Sequence, residues 1–144
     1  MTAQSILPRT AEIWLREEGV VQVESFPDAY DTLEDARANV AAVYKIGLDR
    51  RRPLLVDIRL MKGFNQEARA YYASEEVVQM ISALALWVES PVSRVLANFF
   101  LGLNRVRVPT KLFTSEEEAV AWLKNFIELT ERETGESRWR EDKK

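Results

Sequence analysis

Leu54-Leu-Val-Asp-Ile-Arg-Leu-Met-Lys-Gly-Phe-Asn-Gln-Glu-Ala-Arg-Ala70 decides the fold. Leu54–Ile58 is a short apolar run, the mark of a strand covered on both faces. Leu60–Phe64 is a loop. Asn65 is a helix N-cap residue type, and the spacing predicts a helix over Gln66–Ala73 with Ala68, Tyr71 and Tyr72 on its inner side. Tyr71 and Tyr72 are consecutive and cannot both point inward. Strand, loop and helix in this order are half of a parallel crossover.

Working outward, Met80–Val88 is a second strand of the same two-sided kind. Ser90-Pro91 then starts a helix, an N-cap serine before proline at the first helical position, with Val92, Val95, Leu96, Phe99, Phe100 and Leu103 as its apolar stripe. Thr110–Phe113 is a short strand. Thr114-Ser-Glu-Glu117 resembles a capping box ahead of a helix carrying Ala119, Trp122, Leu123, Phe126 and Ile127. Towards the N-terminus, Thr32-Leu-Glu-Asp35 is another such box and predicts a helix over Leu33–Ile46, closed by Gly47. Ile13–Glu17 and Val20–Ser25 alternate about Glu18-Gly19 and read as an antiparallel hairpin. The expected architecture is a single α/β domain. It has a mixed, mostly parallel five-stranded sheet with about four helices over residues 12–128, a tail at 1–11 and a charged tail at 129–144.

Composition excludes more than it assigns. The 144 residues suit one domain with a real core. The net charge of −3 gives no argument for nucleic acid. There is no Cys and no His. Disulfides, thiolate metal sites, imidazole ligands and His-based triads are therefore out. A catalyst would have only Asp, Glu, Lys, Tyr or Ser to work with, so the expectation is a non-enzyme with no catalytic residue, no metal and no cofactor. Met1–Thr10 lacks the charged start and apolar stretch of a signal peptide, and no apolar run spans a membrane. A cytoplasmic protein is expected.

The strand ending at Asp57 and the helix opening about nine residues later resemble the STAS family, which contains the anti-sigma-factor antagonists. Asp57-Ile58-Arg59 stands at the strand end of that family, and Asn65-Gln66-Glu67-Ala68 at its helix start. Glu67 then occupies the place of the phosphorylatable serine, and Ala68 that of the glycine. A permanent carboxylate there cannot be switched by a kinase. Ile13-Trp-Leu-Arg16, Val56-Asp-Ile-Arg59, Glu67-Ala-Arg-Ala-Tyr71, and Ser90-Pro-Val-Ser-Arg94 running into Asn98-Phe-Phe-Leu-Gly-Leu-Asn104 are similar to uncharacterised bacterial proteins grouped with STAS and SEC14-like domains. The resemblance implies a non-catalytic signalling or protein-interaction domain without the phosphoacceptor serine. The alternative it implies is a SEC14-like carrier of a small molecule or lipid.

Two site expectations follow. A partner-binding surface would use Arg59, Met61, Lys62, Phe64, Glu67, Arg69 and Tyr72. An anion or ligand would bind beyond the strand ends, at Asp57, Arg59, Ser90, Arg94 and Asn98, with Arg94 or Asn98 meeting a head group. Asp57 and Glu67, near one rim, are the carboxylate pair that acid–base chemistry would use, given a raised pKa and a cleft. Asp28 and Asp31 lie in a loop with no recognisable calcium spacing. A protein partner is expected, and pairing of the hairpin edge with a second copy would give a homodimer.

Overall fold

The computed structural model describes the backbone of residues 4–104 and 108–127, and the side chains of all of these except 99–104. Ser5–Ile6 (β1), Ala11–Leu15 (β2) and Val21–Ser25 (β3) form an antiparallel ribbon. The hairpin is the expected one, with Ile13 opposite Val23. Its turn needs Gly19, whose φ of +95° a side chain would resist. The segment read as a tail is corrected by β1, which pairs Ser5 with Trp14 and Ile6 with Ile13. Two residues of strand show no period, so local patterning could not announce them.

Tyr30–Asp31 (β4) leads into Leu33–Ile46 (α1), whose expected capping box is complete. The Asp35 amide donates to the Thr32 side chain, and the Thr32 amide donates to Asp35 at 2.9 Å. The deciding stretch then supplies Arg52–Asp57 (β5), Gly63–Phe64 (β6) and Gln66–Tyr72 (α2), with Asn65 accepting from the Ala68 amide as N-cap. Glu75–Val78 (α3), Ile81–Trp87 (β7), Pro91–Asn104 (α4), Thr110–Phe113 (β8) and a helix over 116–127 (α5) complete the order.

The main sheet runs β1-β2-β3-β5-β7-β8, parallel from β3 onward, while β4 and β6 pair alone. The sheet therefore has six strands rather than five, and the described residues form five helices rather than four. The additions are short pieces: β1, too brief to carry a hydrophobic period, and α3, the single turn that Ser74-Glu75-Glu76 opens with Ser74 as its cap. The charged tail at 129–144 lies outside the described residues.

Two corrections concern helix edges. Ser115, not Thr114, caps α5, accepting from the Glu118 amide at 3.2 Å. On α4, Val92 and Val95 point to solvent at 58% and 63% exposure. The inward face is instead Ser93, Leu96 and Ala97. Ser90 and the fully buried Ser93 cap this helix reciprocally. The Ser93 amide donates to Ser90 Oγ, and Ser93 Oγ accepts from the Glu89 and Ser90 amides. Phe99, Phe100 and Leu103 fall among the side chains outside the description.

The two faces of the sheet are filled unequally. On one, Leu55, Ala83, Ala85 and Phe113 pack on Ala119 and Leu123 of α5. On the other, α1 covers β2 and β3 through Ala42, and Ala97 of α4 packs with Leu84 and Leu86. Between those helices the cover thins. Along β5, Pro53, Leu55 and Asp57 are buried, whereas Leu54 and Val56 are only half-buried, although β3 and β7 flank them on both sides. That exposure in mid-sheet locates a cavity.

Candidate functional site

The cavity measures about 130 Å³ and lies between the half-covered face of the sheet and the helices over it. Leu54, Val56 and Ile58 of the β5 segment form its floor with Leu84 and Leu86 of β7. Val40 and Val43 of α1, Phe64 of β6, and Leu96 and Ala97 of α4 close it. Apolar walls of this kind accept apolar guests.

Polar side chains gather at one place in this lining. Asp31 ends β4, Asn39 sits in mid-α1, and Tyr72 is the last residue of α2; all three line the cavity. The Tyr72 hydroxyl donates to Asp31 Oδ2 at 2.6 Å and accepts from Asn39 Nδ2 at 2.9 Å. Asn39 Nδ2 also donates to the buried Thr10 hydroxyl at 3.2 Å. Buried polar groups normally find partners. Here Asp31 Oδ1 and Asn39 Oδ1 have none among the described residues. Burial pushes the Asp31 carboxyl above its usual range, with the Tyr72 hydrogen bond acting the other way. Burial, and then the charge of Asp31, push the Tyr72 phenol well up, so it stays protonated and able to donate.

Next to this group, Arg9 holds Asp35. Its guanidinium reaches the carboxylate at 2.8 and 2.6 Å, and this pairing brings the Asp35 pKa down to about 2. Arg9 also donates to the Tyr30 carbonyl at 3.2 Å. The two neighbouring carboxyls are therefore shifted in opposite directions, one paired directly with Arg9 and one buried, where the more distant charge of Arg9 counts for less than desolvation.

The expected site residues distribute differently from the sequence reading. Met61, Phe64 and Tyr72 line the cavity rather than an outer surface. Lys62 and Glu67 are exposed, and Arg69 is half-buried. Asp57 and Arg59 do meet, but as a closed pair. Arg59 Nε and Nη2 each donate to Asp57 at 2.9 Å, its plane lies 3.6 Å over the Trp87 ring, and Glu89 approaches at 3.6 Å. Ser90 is engaged in capping, and Arg94 and Asn98 are exposed and outside the cavity lining. The expected anion set is thus an intramolecular ion pair plus surface groups. Asp57 is buried and Glu67 exposed. Asp28 is exposed, with a left-handed φ of 63°, while Asp31 is enclosed. Among the described residues no cluster of three or more such side chains could hold a metal ion, and no helix is long and apolar enough to cross a membrane.

Asn39 and Thr10 were not visible as site residues. Thr10 sat in a presumed tail. The signal for Asn39 was present, since it follows Ala36 by three positions and precedes Val40 on the inner side of α1. An amide at a buried position marks a built polar site.

Comparison with known proteins agrees with this architecture. A family model described as a domain of unknown function, DUF7793, matches residues 13–127. An uncharacterised protein of the DUF3478 family from Shewanella loihica PV-4, described as having a SpoIIAA-like fold, superposes with a TM-score of 0.55 at 17% identity, covering 78% of this chain and 91% of that one. A protein of unknown function from Arthrobacter sp. FB24 is 34% identical over 77% of this chain and 96% of its own, with a TM-score of 0.30. Curated proteins give no match. The fold is SpoIIAA-like, that is, STAS-like, as the resemblance in the sequence implied.

Proposed function

Because the chain belongs to the DUF7793 family, whose description assigns no activity, we propose from the geometry that this STAS-like domain binds a small, mainly apolar molecule in the cavity over β5. The observation that carries this reading is the polar group of Asp31, Asn39 and Tyr72 set into otherwise apolar walls. An accidental packing gap would have no reason to keep two unpaired acceptor oxygens beside it. A few placed polar groups in an apolar cleft are the usual make-up of a small-molecule site. The volume of about 130 Å³ favours a guest the size of benzene over an intact lipid. This narrows the carrier alternative to small ligands.

The test is a panel of small amphiphiles followed by ligand-observed NMR, with Val56→Phe as the control. Val56 is half-buried and faces the cavity, so the larger ring fills it without disturbing the α5 side. Wild type should bind members of the panel and Val56→Phe should not. Binding that survives the substitution, or a panel with no binder, would overturn the reading.

A second reading keeps the regulatory, protein-interaction role. It is favoured by Leu60, Val92 and Val95, which stand 58% to 63% exposed after the C-terminal ends of β5 and β7. Neighbouring parallel strands end at one edge, so an apolar surface there would sit beside Arg59, Lys62 and Glu67. The double variant Leu60→Asp, Val95→Asp should lose a bound partner, another protein or a second copy, in pull-down and sedimentation while its melting temperature holds. Unchanged association would remove this role.

A further inference from the structure

We infer, on the basis of the ligand-binding reading above, that the molecule held over β5 is a small primary amine whose ammonium is received by Asp31 and Asn39. These side chains are 4% and 6% exposed, and both line the cavity. Besides Tyr72, the Thr10 hydroxyl also supports the Asp31 carboxylate, yet among the described residues no donor pairs with the last oxygen of either side chain. The Tyr72 proton goes to Asp31 Oδ2 at 2.6 Å. The Asn39 amide group donates to Tyr72 at 2.9 Å and to Thr10 at 3.2 Å, with a longer approach of 3.5 Å to Asp31 Oδ2. What is left over is two acceptors, Asp31 Oδ1 and Asn39 Oδ1. A guest that completes this arrangement must bring donors. A carboxylate or phosphate would bring only further acceptors and a like charge.

Charge selects among donors. Asp31 forms no ion pair among the described residues; the nearby Arg9 is clamped on Asp35 at 2.6 Å instead. A buried carboxylate without a cation is costly unless one arrives. An ammonium offers three donors and the missing charge, so its hydrogen bonds to a carboxylate carry an ionic attraction that those of a neutral hydroxyl lack. The remaining volume of about 130 Å³ has apolar walls and accepts a short alkyl or aryl tail.

The experiment uses probes matched in chain length: n-pentylamine, 1-pentanol and pentanoate, with xenon as a headless control. All are titrated by NMR at neutral pH into the full chain and into Asp31→Asn. The amine should bind at least about tenfold more tightly than the alcohol, and pentanoate not at all. Asp31→Asn should lower amine affinity by about tenfold or more and leave xenon binding as it was. If xenon binds while the alcohol matches the amine, or while Asp31→Asn leaves the amine untouched, the cavity stands as a binding site and the amine assignment is wrong. If xenon and all three probes fail to bind, the ligand reading itself fails and takes this inference with it.

Discussion

Leu55→Ala is expected to lower the free energy of unfolding by about 3–4 kcal/mol, the middle of the range for a buried leucine. Leu55 has no exposed surface and lies against Ala119 and Leu123, the closed side of the sheet. Its neighbour Val56 makes the comparison informative. Val56 projects to the opposite face, is half-buried, and already borders the cavity. Truncating it removes fewer contacts, because part of its surface faces empty space. Val56→Ala should cost roughly 1 kcal/mol, well below the leucine even after allowing for the smaller side chain. Urea denaturation of both variants gives the comparison directly. Equal losses would mean that the two faces of β5 are equally packed and that no cavity lies over Val56. At about 0.1 kcal/mol of stability per residue, the leucine loss alone is a substantial fraction of what holds a domain of this size together.

The parts of the fold legible in the sequence are those in which one segment carries its own signal. The box at Thr32 and Asp35, the apolar stripe behind it and Gly47 as the closing residue gave α1 its observed limits. The apolar runs gave β5 and β7 their places in the sheet, and the helices between them gave its parallel sense. Elements of two residues, β1, β4 and β6, exist only because a partner strand lies alongside. No local pattern encodes such a partner. The α4 stripe failed for a related reason. Valine at 92 and 95 has the right spacing, yet Ser93, a polar residue, takes the buried position because its hydroxyl caps the helix from inside. The candidate site was legible only in pieces. Tyr72 reads as an inner residue of its helix, and Asp31 as a loop carboxylate. Their contact joins residues 41 apart in the chain. It depends on how α2 lies across α1, which side-chain spacing along either helix does not specify. Arg59 shows the converse error. A guanidinium at a strand end suggests an anion site, but the carboxylate two residues earlier lies within reach and closes on it first.

Tyr72→Phe and Asp31→Asn should move stability in opposite directions. Removing the Tyr72 hydroxyl takes the 2.6 Å donor from Asp31 and an acceptor from Asn39, leaving both buried groups worse satisfied, at a cost of about 2–3 kcal/mol. Asp31→Asn keeps an oxygen to receive the Tyr72 proton but removes the buried charge. Because burial raises the Asp31 pKa, the folded state holds this proton more tightly than the unfolded chain does. The stability this contributes is present below the ordinary carboxyl range and is lost as the pH rises through the folded value. At neutral pH the ionised group is thus a liability, and its neutral isostere should stabilise the protein by about 1 kcal/mol. Asp35 runs the other way. Its pKa is lowered to about 2 by Arg9, so its contribution is present above the usual value of 3.8 and disappears as the pH falls from there to about 2. Thermal melts of wild type and the two variants from pH 2 to pH 8 separate these contributions. Asp31→Asn should gain on wild type as the pH rises, while Tyr72→Phe should lose throughout. A loss of stability in Asp31→Asn at pH 7 would mean that the carboxylate is a structural partner and not a group held ready for a ligand. A gain at pH 7 together with loss of amine binding is the trade of stability for function expected of a binding residue.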